Sequence, residues 1–79
     1  MSRKPTNPRA VDRIDRVIGE QIRITRLAQG KTQTELGDRI GVTFQQVQKI
    51  ERGVNRIAAS RLYKVAKALG TPVQKFFGE

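Results

Sequence analysis

The chain has 79 residues with no cysteine and no histidine, and its 16 lysines and arginines outweigh 7 acidic residues, giving a net charge of +9 and a pI of about 11.2. That length predicts one small domain without room for a separate sensor or catalytic domain, and the missing residue types exclude a disulfide framework, thiolate metal sites and histidine general-base chemistry. Such a charge points to a polyanion, nucleic acid before an anionic membrane surface, and no apolar run approaches the ~20 residues of a membrane span.

Residues 1–7, MSRKPTN, are polar, carry Pro5 and are followed by Pro8. They lack the apolar core of a secretion signal, so a cytoplasmic chain is expected. They read as a flexible basic arm whose Arg3 and Lys4 either lie along phosphates or contact nothing. Residues 8–79 form the predicted domain. Its first helix starts at the Asn7-Pro8 pair, a cap and N1 combination, or near Asp12, and runs to Gln29, where Gly30 stops it. Ile14, Val17, Ile18, Ile22, Ile24 and Ala28 recur at helical spacing as a core face, and Gly19 weakens the middle. Asp12 and Asp15, set among Arg9, Arg13 and Arg16, read as helix ion pairs.

Residues 32–53, TQTELGDRIGVTFQQVQKIERG, hold two start signals. Thr32 precedes Glu35 by three residues and Thr43 precedes Gln46 by three, so each pair predicts a capping box opening a short helix. Gly41 suits the left-handed residue that ends the first of these helices, and Val42 with Val47 can staple the entry to the next. Leu36 and Ile40 form one buried face, Val47 and Ile50 the other, and Gly37 lets the two helices cross closely. Gln45, Gln48, Lys49 and Arg52 remain on the outer face of the second helix, with Phe44 and Gln46 in its first turn. Glutamine can bond adenine N6 and N7, and lysine can reach guanine O6 and N7, so this face suits major-groove readout; the bland alternative is a solvated amphipathic surface.

After Gly53 a polar turn leads through Asn55 and Arg56 to Ile57. A fourth helix is predicted over 59–69, with Leu62, Val65, Ala66 and Leu69 inward, Arg61, Lys64 and Lys67 outward and Tyr63 partly buried. Ala58 stands at its N-cap, where alanine cannot cap. Thr71, Pro72 and Gln74 predict a third capping box opening a short last helix through Phe77. Phe76 and Phe77 are adjacent, so either both pack into the core or one covers a partner subunit.

The set Gln33, Glu35, Leu36, Gly41, Val42, Thr43, Val47, Ile50, Glu51 and Gly53 resembles the Cro/CI (XRE) family of helix-turn-helix DNA-binding regulators, which includes the phage 434 and lambda repressor amino-terminal domains. The likeness runs from about Ile18 to Phe77. It implies an all-α fold, a compact bundle of five helices, with the motif at 32–53 and the third helix, about 43–52, in the major groove. It also implies an ion pair between Arg26 and Glu51, buried or half-buried, and a homodimer formed near the carboxyl end and the loop after helix 3.

Carried onto this chain, the resemblance implies a sequence-specific, double-stranded DNA-binding transcriptional regulator, a repressor on a palindromic operator, cytoplasmic and associated with the nucleoid. Thr43, Phe44, Gln45, Gln46 and Lys49 are expected at base edges, and Gln33, Arg52, Asn55 and Arg56 at phosphates. Phe44 departs from the polar residue of the phage repressors, and either touches a thymine methyl or tucks inward. Gln46 cannot serve both cap and base fully, and the cap is favoured. No cofactor, metal, small-molecule ligand or membrane contact is expected, and the acidic residues form no dyad with another catalytic group. The runner-up is a protein-interaction module, an adaptor or antitoxin-like partner using the same fold.

Overall fold

The computed structural model describes residue 11 and residues 13–78, so the basic arm, the Asn7-Pro8 pair and Asp12 lie outside the described residues. Four α-helices follow in order: α1 (Arg13–Ala28), α2 (Gln33–Ile40), α3 (Phe44–Arg52) and α4 (Ala59–Ala68), with a terminal 3-10 helix over Val73–Phe77. The described residues contain no strand, in keeping with the all-α class. The expected bundle of five helices is therefore corrected to four α-helices and one tighter turn. Its cause is local. Pro72 occupies the N-cap without a side-chain bond, and the Thr71 hydroxyl donates to the Leu69 carbonyl at 2.9 Å, so the third capping box does not form.

One core joins all the elements. Ile18 and Ile22 of α1 meet Leu36 and Ile40 of α2, Val47 of α3, Leu62 and Val65 of α4, then Leu69 and Phe76, with Val42, Ile50, Ile57 and Ala66 packed against them. Burying each such large side chain stabilises by roughly 1.5–3 kcal/mol. Phe76 is wholly buried while Phe77 remains 39% exposed, so the adjacent rings divide between core and surface.

The inward side of α1 differs from its predicted apolar stripe. Ile18 and Ile22 are buried, but Ile14, Ile24 and Ala28 face solvent, and the remaining buried positions are Asp15, Gly19 and Arg26. At about 100° per residue, Ile24 falls on the opposite side of the helix from these. Partners across the bundle set the rotation. Asp15 accepts the Ile57 backbone N–H at 3.3 Å, and so it is a buried tie to the loop before α4. A Cβ on Gly19 would stand 2.4 Å from the Ile50 carbonyl oxygen and 2.8 Å from that of Glu51. The absent side chain lets α1 cross against the end of α3. Gly37 plays the corresponding part in α2, although its near neighbour is the Val42 carbonyl of the turn rather than α3 itself.

The end of α4 is tied to the end of α1, where the Gln29 side-chain amide donates to the Leu69 carbonyl at 2.7 Å. Ala58 provides no side-chain cap at the start of α4. Tyr63, expected to be partly buried, is 62% exposed, with the Lys67 ammonium 5.8 Å from its ring centre. Its position one residue after Leu62 places it off the buried face, and cation contact replaces packing.

Candidate nucleic-acid interface

Both predicted capping boxes of the central motif are present. Glu35 N–H donates to the Thr32 hydroxyl at 3.0 Å while Thr32 N–H donates to the Glu35 carboxylate at 2.7 Å. Gln46 N–H and Thr43 N–H form the equivalent pair at 3.2 and 3.0 Å. Hydrogen bonds from the Thr32 backbone N–H and then its hydroxyl hold the Glu35 carboxyl below its ordinary pKa. Between the helices Gly41 adopts φ 79°, a left-handed conformation open to glycine at little cost, and its N–H returns to the Gly37 carbonyl.

These devices orient α3. Val47 and Glu51 are buried, whereas Thr43, Phe44, Gln45, Gln46, Gln48, Lys49 and Arg52 are exposed. Phe44 is 44% exposed and so stands outward instead of tucking into the core. The Gln46 side-chain oxygen is engaged by the Thr43 cap. Its amide nitrogen alone keeps full freedom toward a ligand.

Behind this face, the Arg26 guanidinium donates from Nε to one Glu51 oxygen at 2.6 Å and from a terminal nitrogen to the other at 3.0 Å, and its second terminal nitrogen donates to the Lys31 carbonyl at 2.7 Å. Gln33 joins from the start of α2, its amide donating to the same Glu51 carboxylate at 3.1 Å. Three chain segments, α1, the start of α2 and α3, thus meet at one carboxylate. The arrangement fixes the start of α2 against α3, and one amide hydrogen of Gln33 is already spent when the residue is considered as a phosphate contact.

Two clefts flank α3 and make it a ridge. One, of about 290 Å³, has Gln46, Lys49, Asn55, Arg56 and Arg61 among its lining residues. The structure thereby brings the loop residues Asn55 and Arg56 beside Lys49 and adds Arg61, which no local motif distinguishes from the other outward cations of α4. The other, of about 830 Å³, is lined by Arg16, Arg23 and Glu20 from α1, Gln33 from α2, and Gln48 and Arg52 from α3, with Glu51 and Val54 completing it. Gln33 and Arg52 therefore share one side of the ridge, and Asn55 and Arg56 lie on the other. Among the described residues no group of acidic side chains has the makings of a metal site, and no helix is long and apolar enough to cross a membrane.

A capped helix pair about a left-handed glycine, with the second helix presenting an amide-rich and cationic outer face, defines a helix-turn-helix regulator of the DNA-binding class. The family model described as HTH_3, helix-turn-helix, matches residues 22–76, and the chain belongs to this family, of the Cro/CI (XRE) type. It is 47% identical over 74 residues to an uncharacterised transcriptional regulator in the ATPase CF(0) region of Rhodospirillum rubrum, covering 94% of this chain and 68% of that protein. It is 43% identical over 76 residues to an uncharacterised helix-turn-helix-type regulator of Sinorhizobium medicae, covering 96% of this chain but 51% of that one. Among solved structures, the clp gene regulator ClgR from C. glutamicum superposes with a TM-score of 0.78 at 26% identity, covering 82% of this chain and 84% of that one. The restriction-modification controller protein C.AhdI from Aeromonas hydrophila gives 0.73 at 26%, covering 77% and 92%. These are regulators, not enzymes, and the family is accordingly non-enzymatic.

Proposed function

We propose that the chain is a sequence-specific regulator of transcription that lays α3 in the major groove of double-stranded DNA, binds a palindromic operator as a homodimer, and represses by occupying it. The observation that carries this reading is the division of α3: Val47 and Glu51 are held inside, leaving Gln45, Lys49 and the first turn free on a ridge between two basic clefts. Gln45 and Lys49 supply hydrogen bonds to base edges, with Thr43, Phe44 and Gln46 beside them; the exposed Phe44 ring suits a thymine methyl. Gln33, Arg52, Asn55 and Arg56 hold phosphates and set register.

The homodimer reading rests on the carboxyl end, where Val73 and Phe77 are exposed next to the buried Phe76. Two subunits joined there place their α3 helices about 34–36 Å apart if the half-sites lie one helical turn apart. On this reading the chain, with its net charge of +9, acts on the nucleoid in the cytoplasm, and laying α3 against DNA calls for neither cofactor nor metal.

Selection from randomised duplexes, followed by competition of the winner against bulk DNA at physiological salt, tests the reading. A palindromic site preferred by a factor of roughly 10³ or more supports it. Enrichment of no site, with binding that simply fades as salt rises, refutes sequence-specific regulation and favours an adaptor whose basic face meets an acidic protein.

A further inference from the structure

We propose that the larger cleft, between α1, the start of α2 and the flank of α3, is a second seat for the DNA backbone, with Arg16 and Arg23 of α1 as its phosphate contacts. The inference rests on the reading of α3 as the DNA-binding helix and extends the docking surface to a helix otherwise read as core.

Arg16 and Arg23 are both exposed and both line the cleft. Seven residues separate them, two helical turns, so they rise on one side of α1 roughly 10 Å apart. Neither takes part in an ion pair among the described residues. The base of the Arg16 side chain lies against the end of α3: a Cβ on Gly53 would stand 2.6 Å from the Arg16 Cα and 3.0 Å from its Cγ. Arg52 lines the same cleft from α3.

Two carboxylates also line this space, Glu20 and Glu51. Glu51 is neutralised by Arg26 at 2.6 Å, which leaves three guanidiniums against the single charge of Glu20. The cleft is therefore electropositive. Its size and the two-turn separation of its α1 cations suit successive phosphates of a strand rather than one small anion. It is also continuous with the proposed recognition surface, because Gln48 and Arg52 belong to both. A strand seated there is gripped on the side of α3 opposite Asn55 and Arg56. Such contacts position the ridge without reading sequence.

The test uses the full chain carrying Arg16→Gln with Arg23→Gln, and a second variant carrying Arg16→Lys with Arg23→Lys. Binding to the selected duplex and to a scrambled one is followed by fluorescence anisotropy across a salt titration. Loss of two phosphate contacts flattens the slope of log K against log salt by about 1.8 on both duplexes, at about 0.9 per contact, without changing the preferred site. The lysine pair keeps the wild-type slope. An unchanged slope in the glutamine pair overturns the proposal, as does an equal loss in the lysine pair, which marks a packing role for the stems. If no duplex is preferred, the operator reading fails while the slope on scrambled DNA still decides this one. Wild-type binding that ignores salt on both duplexes overturns both.

Discussion

Arg26 and Glu51, 25 residues apart, grip each other through two parallel contacts of 2.6 and 3.0 Å inside the bundle, and Gln33 completes the carboxylate's hydrogen bonding. The pair matters less for its own attraction than for what its loss exposes. Glu51→Ala leaves a buried guanidinium uncompensated and is expected to cost about 3–5 kcal/mol in urea unfolding, whereas replacing both partners by apolar residues of similar size costs much less or nothing. Equal losses for the single and double replacements would show that the charge itself is not the issue.

Gln45 and Arg52 occupy the same exposed side of α3, and the proposed docking gives them different ends. Gln45→Ala is expected to lose about 1–3 kcal/mol on the preferred duplex and to relax preference at one base pair, while Arg52→Ala weakens all duplexes alike and flattens the salt slope by about 1. Competition binding on specific and random DNA separates the two. An equal loss on both duplexes for Gln45→Ala removes it from base readout.

Gly19→Ala brings two opposing terms into play. Helix propensity gains about 1 kcal/mol, but the new Cβ meets the Ile50 carbonyl at 2.4 Å, and backbone cannot swing aside as a flexible side chain does. Overpacking of this kind costs about 1–3 kcal/mol or more. The clash should win, lowering the thermal midpoint; a rise would mean that α1 and α3 separate easily.

The Thr32–Glu35 cap makes the start of α2 sensitive to acid. Because the Glu35 pKa is lowered in the fold, its stabilisation is fully present above the ordinary value of 4.5 and is lost as pH falls through the folded value. Glu35→Gln keeps a side-chain acceptor but has no proton to take up. Unfolding midpoints of the two proteins should therefore converge below that range and differ least where the carboxylate is protonated; parallel curves would deny the cap this role.

Ala58 has the extended backbone of an N-cap, φ −69° and ψ 147°, with no side-chain bond. Ala58→Ser is expected to raise stability by about 0.5–2 kcal/mol. Denaturant titration checks the gain, and an unchanged midpoint would indicate that water already satisfies the first turn.

The motif at 32–53 was legible because its information is local. A threonine bonds a backbone N–H three residues away, Gly41 adopts the left-handed turn on its own account, and Val47 and Ile50 mark one side of a helix by spacing alone. Thr71 looked equally local and misled, since the Leu69 carbonyl lay within reach of its hydroxyl. Residues of α1 were harder to place, because Asp15 and Arg26 are drawn inward by groups 42 and 25 positions along the chain. Apolar spacing counts Ile14 and Ile24 and is blind to those partners.

By itself, then, the chain determined its four α-helices, the caps of α2 and α3, the polar outer row of α3 and the basic charge, since all of these depend on residues within about a turn of one another or on composition. Tertiary structure decided the rotation of α1, the division between Phe76 and Phe77, the seating of Gln33 on Glu51 and the meeting of Arg16, Arg23 and Arg52 around one cleft. Each of those depends on which segments pack together, where a buried charge must find its partner and a helix without a Cβ can approach closest.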